Sequence, residues 1–552
     1  MPTTMSAEQR VEQLLSEYGE ADLSVAAVLC DRHPTDAVAV TIAHETGRTD
    51  LTYGELRDRS ERLAAGLASL GVTPGSRVAT LLPKGEELPV VLLAIWRLGA
   101  VYVPLFTAFA AQAIAMRLES SATAVVVCSS DQRSKLEPGP DMPADAPWRI
   151  VTVDEQVPAG DIGYADLADG YNRISIPAVQ GPDGGFIQLY TSGTTGRPKG
   201  VVVPARALAA FVAYLELGLD VRPDDVYWNA ADPGWAYGLY YALCAPLAAG
   251  RRSVLSTGTF SPASFWTVLT SLGVTNVAAA PTVFRALRGS GLQVPPGVAL
   301  RVVSSAGEPL TPDVVEWAKD ALGVPVLDHY GQTELGMAAI NGHHESVRAE
   351  VKPGSMGRAM PGFRLTMFGQ DKDVPAASGT TGRLAVDVAA SPLFWFAGYA
   401  GDPERTAERF TADRAYYLTG DAAFMDAGGH VFFGGRDDDV IIMAGYRIGP
   451  FDIESVLSSH PRVAECAVIG APDPVRGEVV EAFVVPRPSP EGNPPDTGEL
   501  AVELQELVRT RYAAHAYPRR VHFVDQLPKT PSGKIQRFLL RKARSEARGE
   551  AR

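Results

Sequence analysis

Helix and strand signals alternate through the first four-fifths of this 552-residue chain, and no other feature restricts its fold as much. Thr52 and Glu55 predict a capping box, in which each residue's side chain takes a backbone N–H of the other. Leu56, Leu63, Leu67 and Leu70 follow at helical spacing, and Gly71 can close the helix in the left-handed conformation. Val78–Leu82 predicts a short buried strand, Glu87–Leu98 a helix and Val101–Pro104 another strand. In a β-α-β order the crossover helix returns the chain to the same end of the sheet. The strands therefore run parallel and need helices to cover them.

The chain is also too long for one compact core. After Gly434-Gly435-Arg436 its character changes. Two strand-like runs, Ala464–Ile469 and Val479–Val485, precede a helix with Leu500, Leu504, Leu507 and Val508 on one face, started by Asp496 with Glu499 three residues on. The expected α/β architecture is a large N-terminal domain of parallel or mixed sheets layered with helices, residues 1–436. A small mobile α+β C-terminal domain, residues 437–552, follows a charged hinge at Arg436–Val440. Pro-rich stretches at Glu137–Pro147 and Arg487–Pro495 are expected to be surface loops.

Composition removes several function classes. A formal charge of −14 argues against a nucleic-acid partner, although a local field can still attract anionic ligands. Cys30, Cys128, Cys244 and Cys466 are far apart in sequence, so neither a disulfide framework nor a zinc site is expected, and reduced thiols fit a cytoplasmic protein. The first ten residues lack the apolar core of a signal peptide. The longest uncharged run, Gly99–Met116, is broken by Pro104 and reads as a buried strand and its following loop, so no membrane partner is expected. Oligomeric state is left open, a homo-oligomer being compatible.

One segment carries chemistry in every position. Tyr190-Thr191-Ser192-Gly193-Thr194-Thr195-Gly196-Arg197-Pro198-Lys199-Gly200 alternates hydroxyl side chains with glycines and adds two cations. Such a loop offers backbone N–H groups and hydroxyls to a polyphosphate, and its glycines let the backbone come close. The common P-loop is excluded, because no Gly-Lys pair is followed by Ser or Thr at that motif's spacing. Further along stand Ser305-Ala306-Gly307-Glu308-Pro309, Asp328-His329-Tyr330-Gly331-Gln332-Thr333-Glu334 and Tyr417-Leu418-Thr419-Gly420-Asp421. Gly445-Tyr446-Arg447-Ile448-Gly449 and Pro528-Lys529-Thr530-Pro531-Ser532-Gly533-Lys534 complete the set.

In order and spacing these segments resemble the adenylate-forming superfamily of acyl-CoA synthetases, luciferases and peptide-synthetase adenylation domains, from about Leu51 to Arg541. The resemblance implies that the chain binds ATP through the loop Thr191–Lys199 and through Gly307, Glu308 and Pro309. Asp328, His329, Tyr330, Gly331 and Gln332 belong to the same implied set, with the Tyr330 ring against adenine. It also implies Thr333 at the α-phosphate, Glu334 on Mg2+, and Asp421 with Arg436 at the ribose. Lys534, Glu334, Thr333 and Arg447 form the implied catalytic group. The expected reaction joins a carboxylate to the α-phosphate of ATP and then passes the acyl group from AMP to a thiol. Lys534, Mg2+ and the loop N–H groups would neutralise the repelling anions.

No Leu-Gly-Gly-x-Ser segment follows Lys534, so free coenzyme A is the expected acceptor. Ala231–Ala236, Lys352–Gly357 and Tyr446–Phe451 are similar to the medium-chain and acetyl-type acyl-CoA synthetases. That resemblance implies coenzyme A contacts at Ala444, Gly445 and Tyr446, with Arg476, Tyr517, Pro518 and Arg519 at its nucleotide end. It implies an acyl pocket walled by Trp235, Ala236, Tyr237, Gly238, Ala306 and Gly331. Asp438, a charged residue in the short link between the two domains, is the expected pivot. Asp437 and Ala108 depart from the family pattern. Where acetate-activating relatives carry a pocket-closing tryptophan this chain has Gly331, so a medium-chain, branched or ring-bearing acid is expected. Two alternatives remain: a ligase that loads a separate acyl carrier protein, and an inactive nucleotide-binding homologue.

Overall fold

A computed structural model describes residues 5–154, 156–191, 199–308, 310–369, 375–376, 379, 381–436, 439, 441–443, 446–473, 476–487, 497–513, 516–530 and 534–549. The alternation read from the sequence appears as two large sheets. The first has seven strands: Ile162–Gly163, Arg149–Thr152, Thr123–Cys128, Arg77–Leu81, Val101–Pro104, Gly185–Thr191 and Lys199–Pro204, all parallel except the last. The second has nine, with six parallel strands from Val38–Ala43 to Val326–Gln332 and antiparallel strands beyond both edges.

The helix Tyr53–Ser69 begins on the expected capping box: Thr52 Oγ1 accepts from the Glu55 N–H, and Glu55 Oε2 accepts from the Thr52 N–H at 2.8 Å. Gly71 follows it at φ +86°, where a side chain would be strained. The run after Gly99 differs from its reading, because the strand Val101–Pro104 leads through a short loop into a helix, Ala111–Ser121. The alanines of this run are good helix formers.

A third sheet was not foreseen. Leu365–Phe368, Thr381–Asp387, Tyr416–Met425 and Val431–Arg436 form an antiparallel meander that ends the N-terminal part. After Arg436 a separate five-stranded sheet forms from Ile441–Met443, Tyr446–Ile448, Val463–Asp473, Gly477–Pro486 and Arg520–Phe523. Leu500, Leu504 and Val508 of the helix Thr497–Arg511 are buried in its own core, while Leu507 is half-buried. The start at Asp496 lies outside the described residues.

The small unit is stapled by ion pairs. Glu454 meets Arg537 at 2.7 Å, and the fully buried Glu481 meets Arg544 at 2.7 Å and His522 at 2.8 Å. It touches the large part at the strand Val431–Arg436. A Cβ on Gly449 would lie 2.2 Å from the Gly434 carbonyl oxygen, and the Phe433 and Phe451 rings are 6.2 Å apart. Four cysteines are free and buried, and no helix among the described residues is long and apolar enough to cross a membrane.

Candidate active site

Three motifs that are remote in sequence meet where the strand Val326–Gln332 faces the strand Tyr416–Met425. Tyr330 Oη donates to Asp421 Oδ2 at 2.5 Å, and Gln332 Nε2 donates to the same oxygen at 2.6 Å. Gln332 Nε2 also reaches the Thr419 carbonyl at 2.9 Å, and Tyr417 Oη donates to Gln332 Oε1 at 3.0 Å. Arg436 stands opposite Asp421 in the strand register, with its guanidinium 3.5 Å from Oδ1. Asp421 is 4% exposed, so its charge is held by these partners rather than by bulk water.

Beside this network lies a second group. Glu334, 7% exposed, accepts a hydrogen bond from Tyr399 Oη at 2.9 Å. Arg409 Nε donates to the same phenol at 3.2 Å, and Lys199 Nζ stands 5.0 Å from the Tyr399 ring centroid. Burial, then Arg409 and Arg405, push the Lys199 ammonium below its usual range, with Glu334 pulling the other way. One carboxylate is thus surrounded by cations, an arrangement able to take a metal-borne polyphosphate. Sequence reasoning missed Tyr399 and Arg409. Gly398 beside Tyr399 takes φ +153° with Thr406 against its Cβ position, a feature of the fold that the sequence alone does not display.

The two ends of the expected phosphate-binding segment lie side by side, since Thr191 ends one strand and pairs with Lys199 at the start of the next. Ser192, Gly193, Thr194, Thr195, Gly196 and Arg197 lie outside the described residues, as do Pro309, Asp438, Ala444 and Gly445. Tyr446 and Arg447 are described as backbone of the strand Tyr446–Ile448. Gly307 takes φ +100°, and Glu308 turns to the helix Pro281–Gly289, where Thr282 Oγ1 donates to it at 2.6 Å and Arg285 pairs with it at 2.5 Å. Asp328 is buried, and desolvation raises its carboxyl far above the usual range against hydrogen bonds from the Leu310 and His329 N–H groups. Thr333 contributes its carbonyl to Tyr240 Oη at 3.1 Å.

Among the residues expected to wall an acyl pocket, the structure corrects one. Ala306 is buried at the end of the strand Val302–Ala306, Trp235 packs 5.4 Å from Phe106 and from Phe109, and Gly238 is held close to the Asp232 carbonyl. Ala236 and Tyr237 are partly exposed. Gly331 is not an open floor awaiting an indole. A Cβ there would lie 2.1 Å from the Gly336 carbonyl oxygen and 2.6 Å from Met337 Sδ. The glycine permits a close backbone approach across the bulged Tyr330/Gly331 pairing, so Gly331→Trp would force the turn open instead of filling a void.

In the small unit, Lys534 is exposed. Its N–H donates to Thr530 Oγ1 at 3.0 Å, and its carbonyl accepts from the Thr530 N–H at 2.7 Å. Arg476 is exposed, Tyr517 lies between Arg519 at 3.9 Å and Arg509 at 4.4 Å, and the buried Pro518 gives its carbonyl to Gln505. Tyr517 and its arginines make a cationic, aromatic edge. The structure does not bring Lys534 into contact with Glu334 or Asp421.

Comparison with known proteins places this geometry in a family. The AMP-binding enzyme model matches residues 27–394, and the AMP-binding enzyme C-terminal domain model matches residues 452–534. The chain belongs to the AMP-binding enzymes. Within them it is an acyl-CoA synthetase, an AMP-forming acid–thiol ligase. It is 36% identical over 499 residues to an acetyl-coenzyme A synthetase of Bacillus subtilis, which covers 89% of this chain and 84% of that one. An acyl-CoA synthetase of Brucella canis is 42% identical, covers 99% of this chain and 98% of its own, and superposes with a TM-score of 0.74. A benzoate CoA ligase from Burkholderia xenovorans LB400 is 28% identical, with 94% and 100% covered and a TM-score of 0.80.

Proposed function

We propose that this synthetase activates an acid larger than acetate, of medium-chain, branched or ring-bearing type, as its acyl-adenylate and then passes the acyl group to coenzyme A. Its cosubstrates and metal are ATP, coenzyme A and Mg2+. The observation that carries the nucleotide half is the Asp421 carboxylate, gripped by Tyr330, Gln332 and Arg436 at one strand junction. A fixed carboxylate of this kind suits the paired hydroxyls of a ribose, with the flat Tyr330 ring beside it.

Glu334 suits a magnesium ion that arrives with the nucleotide. Mg2+ prefers one or two carboxylates together with phosphate oxygens and water. Among the described residues no group of three or more His, Cys, Asp or Glu could form a closed cage. Bound Mg2+ would offset charge on the phosphates. Lys199, Arg409 and the loop between Thr191 and Lys199 would position them, and Thr333 would meet the α-phosphate. The exposed Lys534 would approach the carboxylate during adenylation. Gly445–Arg447 and the edge around Tyr517 would serve coenzyme A in the second step.

The pivot belongs at residues 437–438. Arg436 is tied into the meander opposite Asp421, whereas Asp439 is tied to the terminal helix by Arg541 at 2.7 Å and Arg537 at 3.6 Å. Asp438 lies between two anchored ends, which supports domains divided after Arg436. Buried free thiols and the cosubstrates support a cytoplasmic setting.

The small residues Ala306 and Ala236 support an acid longer than acetate. Acetate itself is the second reading, favoured by the acetyl-coenzyme A synthetase relative. A carboxylate panel scored by coenzyme A-dependent AMP release separates them. Rate should climb with chain length, since each buried methylene contributes about 0.8 kcal/mol. A maximum at acetate would establish the second reading, and pyrophosphate release without acyl-CoA would point to a carrier protein as acceptor.

A further inference from the structure

A chain of hydrogen bonds runs from the acyl wall into the core. Tyr237 Oη lies 3.1 Å from Tyr214 Oη, which lies 2.6 Å from His329 Nδ1, and His329 Nε2 lies 3.2 Å from the Asn341 carbonyl oxygen. Proton positions in this chain are fixed by its inner end. A carbonyl oxygen can only accept, so His329 Nε2 carries the hydrogen. Complete burial, with His343 nearby, holds the imidazole's pKa at about 3, so the ring is neutral and Nδ1 is an acceptor. Tyr214 must then spend its proton on Nδ1. Its oxygen is left to accept, and Tyr237 must donate to it.

The consequence falls on Tyr237, the outer end of the chain, whose residue is partly exposed while its phenol is buried. Its single proton is committed inward. Its oxygen keeps acceptor capacity, and among the described residues no donor is directed at that oxygen. Tyrosine hydroxyls usually adapt to whichever partner arrives, but here the rotor is held. A phenol fixed in this way rewards a donor and rejects an acceptor.

We infer that Tyr237 selects acids bearing a hydrogen-bond donor, a hydroxyl or amino group, on the acyl moiety, and that Tyr214 and His329 impose this choice by fixing the direction of the chain. The inference rests on the reading of Trp235–Gly238 as acyl wall. It narrows the substrate class from larger acids to hydroxy- or amino-substituted ones. Tyr237 is the specificity residue and Tyr214 a positioning residue.

The test compares kcat/KM, by coenzyme A-dependent AMP release, for hydroxy, deoxy and oxo forms of the same carbon skeletons. The substituent is moved along straight-chain and ring-bearing acids. At one position the hydroxy form should exceed both others by roughly tenfold, as expected for one hydrogen bond to an otherwise unpaired buried group. Tyr237→Phe should bring the hydroxy-to-deoxy ratio to near one. Tyr214→Phe frees the Tyr237 proton and should shift preference toward the oxo form. Mere loss of packing would lower all three forms together, so a changed ratio reports the chain itself. A wild-type enzyme that turns over larger acids but favours the deoxy form at every position overturns the inference and leaves the proposed function standing. A hydroxy preference that survives Tyr237→Phe also overturns it. If no acid supports AMP release, the proposed function fails and the inference fails with it.

Discussion

The two halves of the site are held in opposite ways. On the large part, Tyr330, Gln332, Tyr417, Asp421 and Arg436 interlock through contacts of 2.5–3.5 Å, and Tyr399 locks Glu334 beside them. On the small part, Lys534 is exposed and is joined to Thr530 by two hydrogen bonds. The cluster around Asp421 is thus held by its own protein contacts, whereas on the proposed reading Lys534 must be delivered to it. Delivery requires a carrier that is rigid in itself and loosely joined to the rest. Glu454–Arg537 and Glu481–Arg544 supply the rigidity.

The comparison breaks first at Glu334. Glu334→Gln keeps an acceptor for Tyr399 but removes the charge, and ATP–pyrophosphate exchange should fall roughly a thousandfold with the melting profile retained. Residual exchange near wild type would show that the metal is held elsewhere.

Glu481 sharpens the other side. Removing this fully buried carboxylate leaves Arg544 unpaired, so Glu481→Gln should destabilise the small unit by about 3 kcal/mol. Nucleotide binding by the large part should be spared, and calorimetry with a bound ATP analogue would resolve two transitions. Burial opposes ionisation of Glu481, but His522 and Arg544 overcome it and hold the carboxyl at about 2. Its contribution is therefore complete above the unfolded carboxylate range and fades as pH falls through that range toward 2.

Asp452 should give the smallest effect and the opposite sign. Burial raises its carboxyl to about 6, with the Tyr512 hydroxyl pulling the other way. The native state then holds a proton that the unfolded chain has released, and stability declines as pH rises from the ordinary carboxylate range to 6. Asp452→Asn should stabilise the small unit by about 1 kcal/mol above pH 6 and by nothing below pH 4, read from paired melting curves.

Legibility followed the range of the interactions. The capping box of Thr52 and Glu55 and the strand Val101–Pro104 rest on neighbours in sequence, and both were readable. The motifs around Tyr330 and Asp421 were readable as motifs, but their direct hydrogen bond spans 91 residues and depends on the sheet register. Tyr399 and Arg409 were missed because a lone Tyr after Gly and a lone Arg carry no periodic signal. Gly331 was misread for a related reason. A missing side chain suggests space, yet the Gly336 backbone already occupies the position a Cβ would take. The direction of the Tyr237–Tyr214–His329 chain was likewise invisible, since it is set by the carbonyl of Asn341, just past the strand Gly336–Ile340.

The central claim is that Lys534 serves one half-reaction and is withdrawn for the other. Lys534→Ala measured in both halves, acyl-adenylate formation from acid and ATP and thioester formation from supplied acyl-adenylate and coenzyme A, tests it directly. The account predicts that the first falls by roughly a hundredfold or more, the loss of one preorganised charge, while the second stays near wild type. Equal loss in both halves would contradict it, because a lysine needed throughout cannot be one that the small unit carries in and takes away.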